Sequence, residues 1–200
     1  MIKTIIFDLA EVYLKGTAGL KDYFKDKLLF KASDLKGKVK DIEFNLFMEG
    51  KITEDEFWKK IIQRNNLNIT IEELKKVVRE EFDEIEGTRE IIEKLKSKGF
   101  KLGLLSDHSR EWVDYCNKKF DYHKLFHSTL YSFEAECLKT DKRIFELILE
   151  KLGEKPEDCL FIDDKKENID IAKSIGLKTI QFKDAEQLKK ELASQSILIN

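Results

Sequence analysis

Proline is almost absent from this sequence, because Pro156 is the only one in 200 residues. The chain also lacks internal repeats, low-complexity tracts and any stretch typical of a flexible linker. Its three cysteines, Cys116, Cys137 and Cys159, are odd in number and widely spaced. This arrangement argues against both a disulfide framework and a CxxC zinc site, so we expect the cysteines to be core thiols.

Long apolar runs and an excess of charge of one sign are also missing. No apolar run reaches about 18 residues, the length that a transmembrane helix needs. The 37 basic and 39 acidic residues give a net charge of −2, so no electrostatic field favours nucleic acid or a membrane as partner. The first residues enter a strand-like run without the pattern of a secretory signal, so we expect a cytoplasmic protein.

Three short apolar runs each end in polar side chains. Residues 5–7, 102–105 and 159–162 are too short for helices and predict buried strands. The side chains that follow them are, in chain order, Asp8, then Ser106 with Asp107, then Asp163 with Asp164. If the strands are parallel, these groups meet at one edge of the sheet, where open α/β sheets bind ligands. Lys139 adds a cation from a loop or helix start, and the set predicts a site for phosphate and a divalent cation.

The second half of the chain alternates between strand-like and helical patterns. Strands are predicted near 101–106, 159–163 and 178–181, with a short apolar run near 128–132. Helices are predicted near 88–98, 110–119, 141–152, 166–175 and 185–193, the first of them capped by Thr88. Such alternation predicts an α/β fold with a mainly parallel, doubly wound sheet between layers of helices.

Residues 15–86 have a different character. Apolar residues recur there at three- and four-residue spacing, which predicts three or four helices. Thr53 with Glu56, and Thr70 with Glu73, have the spacing of a capping box. We expect the aromatic side chains of this insertion to pack inside it: Phe24, Phe30, Phe44, Phe47, Phe57 and Trp58.

The strand-end residues resemble the four motifs of the haloacid dehalogenase superfamily, in order and rough spacing. The matching positions are Asp8, Ser106, Lys139 and the Asp163-Asp164 pair, and Asn168 fits after that pair. The resemblance covers nearly the whole chain. It implies a Rossmann-like core of residues 1–14 and 87–200, with a helical cap of residues 15–86 that closes over the active site.

The resemblance also implies the chemistry. Asp8 is the expected nucleophile, which attacks phosphorus and forms an aspartyl-phosphate that water then hydrolyses. The implied Mg²⁺ ligands are Asp8, Asp163, Asp164 and the backbone carbonyl of Ala10. The implied phosphate-binding groups are Ser106, the backbone N–H of Asp107, Lys139 and the neighbouring His108. The expected substrate is a small phosphorylated molecule such as a sugar phosphate.

Ala10 is the main departure from the phosphatases of this superfamily, which usually carry a second Asp at this position for proton transfer. Proton transfer is typically worth about 10²–10⁴-fold in rate. Three interpretations follow. The protein is a phosphatase for easy leaving groups or one that uses Glu11, His108 or water instead, and the subgroup acting on α-glucose 1-phosphate also lacks this Asp. Alternatively, it is a 2-haloacid dehalogenase, or it binds a phosphorylated ligand without turnover.

The acidic pair Asp163-Asp164 separates the first two interpretations. Displacement of halide from carbon needs no metal, and the dehalogenase relatives lack this pair. Its presence therefore favours phosphoryl transfer. The sequence does not define the oligomeric state.

Overall fold

The computed structural model of the protein describes residues 1–16 and 42–199. Within these ranges, five parallel strands form one sheet in the order β3-β2-β1-β4-β5. The strands are β1 (Thr4–Phe7), β2 (Lys101–Ser106), β3 (Ser128–Tyr131), β4 (Cys159–Asp163) and β5 (Lys178–Gln181). The predicted parallel α/β sheet is confirmed, and its central strand is the one that ends at Asp8.

Helices cover both faces of the sheet. They are α1 (Glu43–Met48), α2 (Glu54–Asn65), α3 (Ile71–Glu81), α4 (Thr88–Ser97), α5 (Arg110–Phe120), α6 (Ser132–Ala135), α7 (Lys142–Leu152), α8 (Lys166–Ser174) and α9 (Ala185–Ser194). Because side chains alternate along a strand, Ile5 and Phe7 of β1 join the hydrophobic cluster of one face, while Ile6 joins the cluster of the other. The result is a three-layer, Rossmann-like arrangement.

Two helix starts differ in detail from the sequence pattern. The N-cap of α4 is Gly87 at φ 81°, not Thr88 as predicted, and Thr88 Oγ1 is buried without a hydrogen-bond partner in the described ranges. Glycine adopts this left-handed conformation without steric cost, which explains why it takes the cap position. Asp141 lies just outside α7 and caps it, because its carboxylate accepts a hydrogen bond from the Arg143 N–H at 2.9 Å.

The helices α2 and α3 begin as their capping patterns predict. Thr53 Oγ1 accepts from the Glu56 N–H at 3.3 Å, and the Glu56 carboxylate accepts from the Thr53 N–H at 2.8 Å. The second capping box, at the start of α3, has the same reciprocal bonds. The rings of Phe47 and Phe57 stack at 4.8 Å, whereas the predicted packing of Phe24 and Phe30 lies outside the described residues.

The chain leaves the sheet after β1 and returns to it through two neighbouring segments. Leu14 pairs with Glu84 in an antiparallel bridge. The Lys15 N–H donates to the Asp83 carbonyl at 2.7 Å, and the Ile85 N–H donates to the Tyr13 carbonyl at 2.9 Å. The division into core and cap at residues 14 and 87 stays a prediction. No helix in the described part of the chain combines the length and the apolar character needed to cross a membrane.

Candidate active site

Asp8 lies directly after the central strand, at the carboxyl edge of the sheet. Its N–H donates to the Ile162 carbonyl at 2.9 Å, so the pairing of β1 with β4 continues through this residue. The side chain is only 3% exposed. Its Oδ1 accepts from the Leu9 N–H at 2.7 Å and from Lys139 Nζ at 2.8 Å. Burial raises the pKa of Asp8, and the nearby Lys139 ammonium opposes that rise.

Lys139 bridges two carboxylates from inside the protein. It lies in the turn before α7, and its side chain is 1% exposed. Nζ lies 2.8 Å from Asp8 Oδ1 and 2.6 Å from Asp163 Oδ2. Burial alone would lower the pKa of Lys139, but Asp163 and Asp8 outweigh it and raise the pKa, so the ammonium stays charged. The predicted cation therefore lies at the strand ends.

Asp163 is surrounded by hydrogen-bond donors. Its Oδ1 accepts from the Lys165 N–H at 2.8 Å, and the Asn168 amide donates to both carboxylate oxygens at 3.0 Å. Burial opposes ionisation, but Lys139 and these donors hold the pKa of Asp163 below its ordinary value. Asp163 is therefore an ionised carboxylate in a fixed orientation.

Asp164 completes a group of three acids. One oxygen from each of Asp8, Asp163 and Asp164 lies within 4.8 Å of the others. Asp164 Oδ1 is buried and has no hydrogen-bond partner in the part of the chain that the structure describes. Burial and the charge of Asp163 raise the pKa of Asp164. A hard divalent cation suits this group, because it would supply positive charge to three neighbouring carboxylates and bind the unpaired oxygen of Asp164.

The end of β2 presents further side chains without partners. Ser106 Oγ, His108 Nδ1 and Ser109 Oγ are buried and unpaired among the described residues. Unpaired buried polar atoms are costly and call for an explanation, of which a ligand is one. The His108 ring lies 6.0 Å from the Phe82 ring and 5.6 Å from that of Trp112. Burial lowers the pKa of His108 to about 3, so the ring is neutral at pH 7.

Asp107 has a side-chain contact that the sequence pattern did not suggest. Its Oδ1 accepts from the Lys139 N–H at 2.8 Å and so holds the turn that carries the buried ammonium. Burial raises the pKa of this carboxyl group. The prediction that the Asp107 N–H binds phosphate stays a prediction.

The loop after Asp8 does not supply a carboxylate at position 10. Glu11 follows Ala10 at φ 61°, a left-handed conformation that is uncommon for a residue other than glycine. Its Oε1 accepts from the Gly16 N–H at 3.2 Å. Glu11 is thus held by its own loop in this structure.

The sequence as a whole matches a known enzyme family. A sequence model of the haloacid dehalogenase-like hydrolases matches residues 2–176. The chain belongs to this family of hydrolases.

Curated relatives of the chain include phosphatases. A phosphorylated carbohydrates phosphatase of Thermotoga maritima is 34% identical over 54% of this chain, and the chain spans 50% of its length. A D-ribitol-5-phosphate phosphatase of Bacteroides thetaiotaomicron is 26% identical over 96% of this chain and 97% of its own length. A flavin mononucleotide hydrolase of Arabidopsis thaliana is 25% identical over 77% of the chain, which spans 62% of that protein.

Solved structures share the fold. A HAD family enzyme from Bacteroides thetaiotaomicron has a TM-score of 0.81 at 22% identity, covering 96% of this chain and 98% of its own. That enzyme has also been solved in complex with magnesium and inorganic phosphate, with a TM-score of 0.77 to this chain at 23% identity.

Proposed function

We propose that this hydrolase is a Mg²⁺-dependent phosphatase of a small phosphate monoester such as a sugar phosphate. One observation carries the proposal. The buried Lys139 ammonium lies among three carboxylates whose negative charge exceeds its own positive charge, and the hydroxyl of Ser106 at the end of the neighbouring strand has no partner among the described residues. Relatives whose names describe phosphatases of phosphorylated carbohydrates and of ribitol 5-phosphate support it.

Asp8 is the proposed nucleophile. One of its carboxylate oxygens attacks phosphorus, the ester P–O bond breaks, and the alcohol leaves with a proton. Water then attacks the aspartyl-phosphate, which releases inorganic phosphate and restores the carboxylate. The Lys139 ammonium, 2.8 Å from Asp8 Oδ1, favours the ionised form of this carboxylate against the effect of burial and can neutralise charge on the transferring group.

The three clustered acids fit a magnesium ion. Asp8, Asp163 and Asp164 would hold it, with the Ala10 carbonyl as a further oxygen ligand. When bound, the ion would offset the negative charge of the phosphate and of the three carboxylates. Asn168 and the Lys165 N–H fix the orientation of Asp163 by hydrogen bonds of 3.0 and 2.8 Å.

Phosphate recognition is assigned to the loop that follows β2. Ser106 Oγ lies at the strand end without a partner in the described ranges, and the Asp107 N–H and His108 follow it. Lys139 completes the set.

We further propose that the chain divides into a core of residues 1–14 and 87–200 and a cap of residues 15–86. We also propose a cytoplasmic location and expect neither nucleic acid nor a membrane as partner.

The source of the leaving-group proton is the open step. His108 is a poor acid for this purpose at pH 7, because its pKa of about 3 leaves it neutral. The proposal therefore favours leaving groups that need little protonation, or water as the donor. The Ala10→Asp variant tests this point: a new carboxylate should raise turnover of an alkyl phosphate by up to about 10²-fold. Turnover of p-nitrophenyl phosphate, whose leaving group is already stable, should change little.

The deciding experiment is phosphate release from sugar phosphates, nucleotides and p-nitrophenyl phosphate, with and without Mg²⁺. We expect Mg²⁺-dependent release that Asp8→Asn lowers by about 10⁴–10⁶-fold. Asp170→Asn, a change to an exposed aspartate on α8, is the matched control. Metal-independent release of halide from 2-haloacids would replace the proposal with the dehalogenase interpretation. Saturable binding of a phosphorylated ligand without product would replace it with that of a non-catalytic binder.

A further inference from the structure

A second buried charge lies away from the strand ends, at the start of the inserted helix α2. Glu54 opens α2, and its side chain is 3% exposed. Its carboxylate accepts from Arg79 at 2.8 and 2.6 Å, from Trp112 Nε1 at 2.7 Å and from Trp58 Nε1 at 3.2 Å. Donors from α2, α3 and α5 therefore converge on one carboxylate.

These contacts cross from the insertion to a helix of the sheet layer. Trp112 belongs to α5, whereas Glu54 and Arg79 belong to the insertion. A second bond runs in the other direction, because the Glu111 carboxylate of α5 accepts from the Glu54 N–H at 3.0 Å. The Arg79 guanidinium also lies 5.4 Å from the centre of the Tyr115 ring. The first turns of α2 and α5 are thus joined by two hydrogen bonds, of which the one from Trp112 is buried.

The joined helix begins where the proposed phosphate loop ends. α5 starts at Arg110, directly after residues 106–109. The Trp112 ring stands edge-on to the His108 ring at 5.6 Å, and Phe82, just after α3, contacts both rings at 5.7 and 6.0 Å. Ser132 Oγ accepts from the His108 N–H at 3.0 Å and donates to the Met48 carbonyl at 2.6 Å. The loop is therefore held by the insertion at two points.

We propose that Glu54 is a positioning residue: it locks α2 and α3 onto α5 and thereby fixes the loop of residues 106–109. This inference rests on the proposed function for the role of that loop. If α2 and α3 moved away from α5, Trp112 would lose its acceptor and its contact with Phe82. The Glu54–Arg79 pair would then become exposed to solvent. Held together in this way, α2, α3 and α5 keep the loop of residues 106–109 in place before phosphate binds.

The two tryptophans of the chain make the lock directly observable. Trp58 and Trp112 are the only tryptophans in the sequence, and both donate to Glu54. Their intrinsic fluorescence therefore reports on this cluster alone. In the free wild-type protein we expect weak quenching by acrylamide compared with the unfolded chain, and no change when Mg²⁺ and inorganic phosphate are added. Tryptophans that are accessible in the free protein and become shielded with Mg²⁺ and phosphate would overturn the proposal, because they would show a closing lid.

Two variants separate positioning from mere stability. Glu54→Gln keeps the shape of the side chain and removes its charge, and Trp112→Phe keeps a ring and removes only the indole donor. Both should weaken the binding of inorganic phosphate in the presence of Mg²⁺ by about ten- to a hundred-fold, measured by calorimetry on the folded variants. Glu72→Gln, an exposed change on α3, should bind like the wild type.

The outcomes distinguish this proposal from the proposed function. Folded Glu54→Gln and Trp112→Phe proteins that bind phosphate as the wild type does would overturn the positioning role. If Glu54→Gln does not fold, Trp112→Phe decides the question. If the wild type itself binds no phosphate, the proposed function fails and the quenching of the wild type decides whether the lock exists.

Discussion

Residues 1–16 and 42–199 contain two buried clusters of charge, and these are built in opposite ways. At the strand ends, one ammonium faces Asp8 and Asp163 while Asp164 Oδ1 has no partner among the described residues. In the second cluster, the Glu54 carboxylate accepts four hydrogen bonds, two of them from the Arg79 guanidinium. The first cluster has an excess of negative charge, and the second is satisfied.

This difference indicates what each cluster is for. A buried charge that keeps all its partners fixes an arrangement of helices, whereas a buried group with missing partners requires something that the described chain does not supply. The pKa values follow the same division. Burial raises the pKa of Asp164, whereas for Glu54 the hydrogen bonds from Arg79 and Trp112 outweigh burial and lower the pKa. The unsatisfied cluster is thus the one suited to bind a cation.

Removal of the cation from each cluster gives the largest expected effect. Lys139→Met and Arg79→Met each leave buried carboxylates without their counter-charge, which should lower the free energy of unfolding by about 3–5 kcal/mol. Saturating Mg²⁺ should narrow the gap between Lys139→Met and the wild type, because the ion can take the place of the ammonium beside Asp8 and Asp163. The gap for Arg79→Met should stay the same with and without Mg²⁺. Urea denaturation of the wild type and both variants, with and without Mg²⁺ and followed by circular dichroism, gives the six free energies of unfolding that this comparison needs.

The matched control for this pair is Lys166→Met, which removes an exposed cation on α8. Its free energy of unfolding should change by less than about 1 kcal/mol. An identical response of Lys139→Met and Arg79→Met to Mg²⁺ would erase the distinction between the two clusters.

Metal binding to the wild type is the next largest effect. At a Mg²⁺ concentration of about one hundred times Kd, the free energy of unfolding should rise by about 2.7 kcal/mol. Asp164→Asn should lose most of this gain, because it removes the unpaired carboxylate from the group of three acids. Glu54→Gln, although destabilised, should keep the gain in full. Loss of the Mg²⁺ effect in Glu54→Gln, or its survival in Asp164→Asn, would contradict the assignment of the two clusters.

The two clusters also differ in how far the sequence predicts them. Asp8, Ser106 and Asp163 each follow a short apolar strand, and parallel pairing then brings strand ends together. Their position at one edge therefore follows from local pattern and topology. Two partners of Glu54, Arg79 and Trp112, lie 25 and 58 residues away along the chain, on helices whose relative packing no local pattern defines.

The orientation of side chains at the strand ends is likewise not predictable from the sequence alone. The sequence places Asp107 next to Ser106, but its contact with Lys139 spans 32 residues and depends on how the turn before α7 folds back. The predicted cap of α4 was wrong for a related reason. Thr88 has a side chain that can cap a helix, but the chain needs a left-handed residue one position earlier, and Gly87 supplies it.

His108 lies between the two clusters and gives the smallest predicted effect. Burial lowers its pKa from the ordinary value of 6.5 to about 3, so the folded protein keeps the ring neutral where the unfolded chain takes up a proton. A proton that binds only the unfolded state destabilises the fold, so the free energy of unfolding falls as the pH drops below 6.5. Between pH 7 and pH 5 the wild type should lose about 2 kcal/mol more than His108→Gln, which cannot titrate. Urea denaturation at the two pH values measures the difference, and His108→Asn should behave like His108→Gln. An equal loss of stability in the wild type and the variants would show that the ring of His108 takes up protons in the folded protein.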